Sequence, residues 1–372
     1  MLRKGNCTEN ESVKMRICYI STGKFSHIDH YLEYFRQTGH DVHFVCLSPS
    51  PKRSVPTYNL GIGQKYSQTH GKWKYPLSMI RVRKLIRKIK PDIIHAHYAT
   101  SGGMAALVSG FHPAIVTVHG SDLISRVKSP VWRPLLKRIF DYSDCINVVS
   151  RELAEIALSL GTREEKIEIL TPGIDTEKFA FVERSDSERT SPLRMICTRR
   201  LEGIFDHYTI LNALSILEEK KINFEMTFAG SGSLFGDLKQ RAENHGLSDR
   251  INFSGRVPNS DLPEVLANHD IYLSASRWDG TSLSLLEAMA SGLFPIVSNI
   301  NANAAWIQDG FSGFLHRVGD ADDLASCILR FFNHPEIRQK TIQHNRQKVC
   351  KMGDRNTNMK LLESAYMKLI AK

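Results

Sequence analysis

The alternation of short β-branched runs with helical patterns most limits what this chain can become. Met15–Ile20, Asp41–Leu47, Asp92–His95, Ala114–His119 and Cys145–Ser150 read as strands. His27–Gly39, Pro76–Lys90, Gly102–Gly110 and Pro130–Asp141 lie between them and read as helices. Several of the strand runs are apolar without a period of two, as a strand covered on both faces requires. Repeated βαβ units imply a parallel sheet, because parallel neighbours need a crossover connection. The stretch 180–192 (AFVERSDSERTSP) is polar, ends in proline and reads as a linker. The alternation then restarts, with strands at Leu193–Thr198, Asn223–Gly230, Ile251–Ser254, Ile271–Ala275 and Pro295–Ser298. Helical patterns at Tyr208–Glu219, Leu234–His245 and Ser284–Ser291 fill its gaps. The expected fold class is therefore α/β, with two Rossmann-like doubly wound domains in series, 1–180 and 181–355. A last amphipathic helix, 356–372, is expected to pack back on the first domain. With 372 residues, each domain can bury its own core. Ligands of such sheets bind at the carboxyl ends of the strands. Two sets of ends facing each other across a cleft would form the site.

Charge divides the chain. Residues 1–180 hold 26 Lys+Arg against 16 Asp+Glu, and residues 181–372 hold 23 of each, so the whole net charge of +10 lies in the first half. A basic half beside a neutral one suggests a polyanionic partner for that half alone. Two helical patterns concentrate the excess. In 76–90, Val82, Leu85, Ile86 and Ile89 form a narrow apolar stripe, and Arg81, Arg83, Lys84, Arg87, Lys88 and Lys90 cover the rest. In 131–141, Trp132, Leu135, Leu136 and Ile139 repeat that spacing beside Arg133, Lys137 and Arg138. These helices either show solvated basic faces or attract anionic lipid headgroups. Nucleic acid is not the expected partner, because no aromatic residues interleave the charges as a base-stacking surface would need. No run reaches 18 apolar residues, and the first residues (MLRKGNCTENESVKM) are polar where a signal peptide is apolar. The expected location is cytoplasmic, with peripheral attachment to the inner face of the membrane. Seven scattered cysteines without a Cys-x-x-Cys pair argue against a disulfide framework and a zinc site.

The stretch 274–298 (SASRWDGTSLSLLEAMASGLFPIVS) carries the most chemistry. A strand runs into a turn at Asp279 and Gly280, and Thr281 or Ser282 can cap the helix that follows. The amides of Thr281, Ser282 and Leu283 then sit at a helix N-terminus, which favours phosphate. Glu287 follows Asp279 by eight residues, placing one carboxylate before the helix and one inside it. A sugar nucleotide needs that set, since amides suit a diphosphate and carboxylates accept hydrogen bonds from hydroxyls. The residues alone allow equally a capped helix whose Glu287 pairs with a basic neighbour.

This stretch resembles the donor-site signature of the retaining GT-B glycosyltransferases of family 4 (glycosyl transferases group 1). HAHYATSGGMAAL (95–107), VHGSDLI (118–124), VVSREL (148–153), TPGIDTEKF (171–179), FAGSGSL (228–234) and QDGFSGFL (308–315) stand in that family's order, so the resemblance spans nearly the whole chain. It implies a GT-B fold and transfer of a sugar from a nucleotide-diphosphate sugar to a glycan or lipid-linked acceptor. Glu287 would bind the ribose and Asp279 the donor-sugar hydroxyls. The backbone from Gly280 to Leu283, through Thr281 and Ser282, would hold the distal phosphate. Val257 would pair with the base edge, Arg200 would bind the diphosphate, and Gly23 would approach the phosphates. His119 of the His-Gly-x-Asp segment would sit over the reacting centre; on the residues alone the favoured reading is a satisfied histidine at a strand end. Transfer would be retaining. It is expected to need no metal, on the reading that the chain offers no Asp-x-Asp metal motif, and the nucleotide sugar is a co-substrate, so no cofactor is expected.

Two departures stand out. The first acidic position is Asp279 rather than Glu, one methylene shorter. Where the family has Arg-Leu, three residues, then Lys, this chain has Arg200, Leu201, Glu202, Gly203, Ile204 and then Phe205. A missing ammonium removes a stabiliser of the leaving group. Arg199, His207 and Tyr208 are the neighbours able to substitute. A silent sugar-nucleotide-binding protein or a sugar-nucleotide epimerase of the same fold are the alternatives.

Overall fold

The computed structural model describes residues 14–22, 27–48, 51–60, 74–181, 192–334 and 336–372. Most of the expected linker lies outside them, as does Gly23. The chain divides into two compact units: Met1–Val148 with Leu153–Ile169 and Leu362–Lys372, and Val149–Glu152 with Leu170–Leu361.

Unit 1 holds seven strands: β1 (Arg16–Ser21), β2 (Asp41–Cys46), β3 (Thr57–Asn59), β4 (Ile93–His97), β5 (Ala114–Val118), β6 (Cys145–Val148) and β7 (Ile167–Ile169). All pair in parallel, in the order β3-β2-β1-β4-β5-β6-β7. Helices α1 (His27–Gln37), α2 (Lys74–Ile89), α3 (Gly103–Ser109), α4 (Ser121–Val127), α5 (Trp132–Tyr142) and α6 (Arg151–Ser159) connect them, α6 starting within the Val149–Glu152 segment of unit 2. Every residue of β4, β5 and β6 is buried, which explains why their sequences are mainly apolar without a solvent-facing alternate position. The edge strands β3 and β7 are too short and too exposed to leave an apolar run in the sequence.

The sheet of unit 2 contains β8 (Leu193–Cys197), β9 (Phe224–Phe228), β10 (Ile251–Phe253), β11 (Ile271–Ser274), β12 (Phe294–Ser298) and β13 (Phe314–His316). Its order is β10-β9-β8-β11-β12-β13, again parallel. The helices are α7 (His207–Glu219), α8 (Phe235–Asn244), α9 (Leu262–Ala267), α10 (Leu283–Ala290), α11 (Asn301–Ala304), α12 (Ala321–Asn333), α13 (Glu336–Met352) and α14 (Arg355–Ile370), whose end belongs to unit 1. Two clusters of buried side chains, one around Ile210, Leu214 and Phe228 and one around Tyr272, Leu286 and Met289, form its core.

In each sheet the first strand lies between the second and the fourth, so strand order reverses between β1 and β4 and between β8 and β11. Loops leaving the carboxyl ends at such a reversal diverge and open a crevice. The loops after β4 and β5 carry His97, Tyr98 and His119. Those after β8 and β11 carry Arg199, Arg200 and Asp279.

Backbone proximity fixes the loop after β8. A Cβ at Gly230 would meet the Arg199 carbonyl oxygen at 2.2 Å, and one at Gly232 the Leu201 carbonyl oxygen at 2.2 Å. The Leu201 amide donates to the Ser231 carbonyl at 3.1 Å, and the Leu234 amide to the Leu201 carbonyl at 3.0 Å. Gly232→Ala is therefore expected to destabilise the protein by about 1–3 kcal/mol, as forced overpacking does. Thermal denaturation checks it, and an unchanged midpoint would show that the loop yields freely.

The apolar stripe of α2 is as the spacing predicts: Val82, Ile86 and Ile89 are buried, Leu85 is half-buried, and Arg81, Arg83, Lys84, Arg87 and Lys88 are exposed. On α5 the stripe differs from the expected one. Leu136, Ile139 and Phe140 are buried, while Trp132 and Leu135 are only half-buried. The helix is turned further toward Phe140, whose ring gains more by burial than the partly polar Trp132.

Candidate functional site

The unit 2 group is built on three loops. Ser282 caps α10, its hydroxyl accepting from the Leu285 amide at 3.3 Å. Ahead of the cap, the Asp279 carboxylate accepts from the Gly280 amide at 2.9 Å and from Arg199 Nη2 at 2.6 Å. The Arg199 guanidinium also donates to Ser282 Oγ at 3.2 Å and Ser284 Oγ at 3.0 Å. Ser284 Oγ lies 2.9 Å from the buried Tyr272 hydroxyl, whose pKa burial pushes up to about 12. The Thr281 hydroxyl donates to the Val149 carbonyl of the same unit at 2.5 Å.

Glu287 lies on the second turn of α10. Its side chain is half-buried. Burial pushes its pKa up to about 7, against the weaker opposing pull of Arg355, Lys178 and Arg199. Among the described residues Glu287 forms no ion pair, so the reading of a carboxylate paired with a basic neighbour is not what the fold adopts. A half-buried carboxyl that forms no ion pair, with Arg355, Lys178 and Arg199 acting on it only through space, can accept a hydrogen bond from a hydroxyl.

Val257 follows β10 and packs, half-buried, against the second core cluster of the unit. Arg200 is exposed, with its guanidinium carbon 5.7 Å from the Phe205 ring. The guanidinium that reaches Asp279 belongs to its neighbour Arg199. Both guanidinium groups lie near the Phe205 ring, Arg199 half-buried and Arg200 exposed, and nothing in two adjacent arginines distinguishes them beforehand. Ser284 carried no signal of its own in the sequence, since a serine one place inside a helix is ordinary.

The chain holds one Asp-x-Asp triplet, Asp320-Ala321-Asp322, which the expectation of metal-free transfer passed over. Asp320 caps α12 by accepting from the Asp323 amide at 2.9 Å, and Arg317 pairs with Asp320 at 2.9 Å. The triplet is a capped helix start.

In unit 1, β4 ends on His97 and turns through Tyr98, whose φ of 70° is left-handed. A non-glycine residue held there stores strain that the surrounding structure must impose. His119 follows β5 and is half-buried, its Nε2 3.0 Å from His97 Nδ1. The rings of His95, His97 and His119 stack in a column with centroids 4.5 and 5.2 Å apart, and Tyr98 closes on His119 at 4.6 Å. The far end of the column is anchored. His95 Nε2 meets Thr117 Oγ1 at 2.5 Å, its Nδ1 meets the Tyr366 hydroxyl of α14, and burial lowers its pKa to about 3, keeping it neutral. Asp122 ties the two loops together. It accepts from the His119 amide at 3.2 Å, the Gly120 amide at 2.9 Å and the Ala99 amide at 2.6 Å. Burial raises its pKa, opposed by these amides.

A groove of about 460 Å³ runs between β3 and α2. Tyr58, Leu60 and Leu85 line it, with Arg81, Lys84 and Lys88 among its walls. No helix among the described residues is long and apolar enough to cross a membrane.

Comparison with known proteins agrees with this geometry. A family model described as Glycosyltransferase Family 4 matches residues 23–178, and one described as Glycosyl transferases group 1 matches residues 182–348. The UDP-Gal:alpha-D-GlcNAc-diphosphoundecaprenol alpha-1,3-galactosyltransferase of Escherichia coli is 28% identical over 276 residues, 68% of this chain and 69% of that protein. The N-acetyl-alpha-D-glucosaminyl L-malate synthase of Bacillus anthracis is 24% identical over 360 residues, 89% of this chain and 90% of that protein. The crystal structure of Anabaena Alr3699/HepE in complex with UDP and glucose superposes with a TM-score of 0.77 at 15% identity, over 95% of this chain and 100% of that one.

Proposed function

Because the chain belongs to the family 4, group 1 glycosyltransferases and has their GT-B fold, we propose that it transfers a sugar from a nucleotide-diphosphate sugar, with retention and without a metal ion, to a glycan or lipid-linked acceptor in polysaccharide synthesis. The observation that carries this reading is the pair of carboxyls flanking the start of α10. Asp279 is held by a guanidinium, and Glu287 is half-buried and in no ion pair. The names of the relatives support a nucleotide sugar as donor and a lipid-linked glycan as acceptor.

In this reading Glu287 receives the ribose hydroxyls and the base edge meets the backbone near Val257. The amides from Thr281 to Leu283 hold the distal phosphate. His119 acts at the reacting sugar, positioned by His97 and Asp122. The bond from the anomeric carbon to the diphosphate breaks while the acceptor oxygen bonds to the same face. The acceptor proton leaves on the departing phosphate oxygen, so no protein nucleophile takes part. Electrostatic stabilisation of the diphosphate supplies most of the rate.

Incubation with UDP-, GDP- and ADP-sugars, with and without a lipid-linked glycan acceptor and with a chelator, tests the proposal. Donor binding raises the melting temperature. Acceptor-dependent product with the donor's anomeric configuration, unaffected by chelation, is expected. Turnover without acceptor would point to an epimerase. Phe205 in the lysine position favours a second reading, a binding protein without turnover, for which donor binds and no acceptor yields product.

The basic face of α2 supports peripheral attachment to the cytoplasmic face of a membrane. Each basic residue near an anionic surface contributes about 1 kcal/mol, and five exposed cations cover this helix. The protein is expected to co-sediment with anionic but not neutral vesicles. Salt should release it, because the screening length falls from about 10 Å at 0.1 M to about 3 Å at 1 M. Charge reversal at Arg83, Arg87 and Lys88 should weaken binding to vesicles and leave donor affinity unchanged. Equal partition to both vesicle types would show the face to be plain solubilising surface.

A further inference from the structure

Phe205 stands where the family has the lysine that neutralises the donor diphosphate, so some other group must carry that charge if the chain transfers sugar. Three neighbours are chemically able to do so, and the fold separates them. His207 is fully buried, and burial lowers its pKa to about 4, so it carries no charge near neutral pH. Tyr208 spends its hydroxyl on Asp237, at 2.5 Å on the adjoining helix α8. Arg199 remains, and its surroundings are built around it. Its guanidinium carbon lies 4.2 Å over the Phe205 ring, so the residue that replaces the lysine is the platform on which this arginine rests. Asp279 and the Ser282 and Ser284 hydroxyls hold its two terminal nitrogens. Its side chain is only 13% exposed. Among the described residues its Nε, though buried, has no hydrogen-bond partner.

We propose that Arg199, stacked on Phe205 and oriented by Asp279, is the cation that binds the donor diphosphate in place of the missing lysine. This rests on the reading of unit 2 as the donor site. A planar fork suits two phosphate oxygens, where an ammonium acts as a point charge. The arrangement also gives Asp279 a second task. Its carboxylate orients Arg199 before the ligand arrives.

The test compares a diphosphate with its monophosphate. Binding of UDP, GDP, ADP and the matching monophosphates is measured by calorimetry for the wild type, Arg199→Ala, Arg199→Gln and the double variant Arg199→Ala/Phe205→Lys. For the nucleotide that binds, Arg199→Ala should lose about 10- to 100-fold in diphosphate affinity, the scale of a lost charged hydrogen bond, and change monophosphate affinity far less. Restoring a lysine at 205 in the double variant should recover most of that loss. If Arg199→Ala fails to fold because Asp279 is left unpaired, Arg199→Gln keeps a donor for Asp279 and should show the same selective loss. Equal diphosphate affinity in wild type and Arg199→Gln, or a loss shared equally by mono- and diphosphate, overturns the assignment of Arg199 alone. A wild type that binds none of the six nucleotides overturns the donor-site reading, and the assignment with it.

Discussion

Replacing His119 with alanine is expected to lower kcat by roughly 10²–10³-fold, the usual cost of removing one preorganised group from a transition state, with little change in the donor KM. A group at the reacting centre acts on the transition state more than on the bound substrate, so kcat and kcat/KM should fall together. The surroundings of His119 suit such a task. Its ring is sandwiched between Tyr98 and His97, its backbone amide is tied to Asp122, and the column behind it ends on a neutral His95. His97→Ala should produce a smaller loss through misplacement of the ring. Near-normal turnover in a folded His119→Ala protein would return the residue to a purely structural role.

Glu287→Ala is expected to weaken nucleotide diphosphate binding by about 10- to 100-fold, the scale of hydrogen bonds to a charged group, without unfolding the protein. Its raised pKa adds a pH signature. The ionised carboxylate accepts ligand hydroxyls, whereas burial holds the free protein's carboxyl near pKa 7. Affinity should therefore be constant well above pH 7 and fall below it, approaching tenfold per pH unit. The stability term runs the other way. The folded pKa exceeds the unfolded one, so the stabilising proton is fully present below about pH 4.5 and is lost as pH rises through about 7. Glu287→Gln should flatten both profiles. Calorimetric titration across that range measures the first, and denaturation midpoints the second. A wild-type affinity independent of pH, or a folded alanine variant that binds normally, would remove Glu287 from the donor site.

What sequence reasoning could reach, and what it could not, follows from the range of the forces involved. The buried strands β4, β5 and β12 left mainly apolar runs because both faces of each sheet are covered, and that is a local signal. The cap of α10 at Ser282, the burial of the α2 stripe and the exposure of its arginines and lysines are also local consequences of residue type and spacing. They are legible at one or two turns' distance. The edge strands β3, β7, β10 and β13 are three residues each, and of these only β10 left a run that reads as a strand. Above all, the choice between Arg199 and Arg200 depends on a contact across 80 positions of chain with Asp279 and on a ring at 205 beneath it. The same is true of Glu287, whose lack of a cation partner is fixed by the packing around α10, and of His95, whose anchor on Tyr366 comes from 271 residues away. The sequence by itself determined two doubly wound sheets and the capped start of α10, because hydrophobic periodicity and helix capping act between near neighbours. Only the tertiary structure decided which charges meet, because charge pairing and desolvation depend on distances through space that the order of residues does not encode.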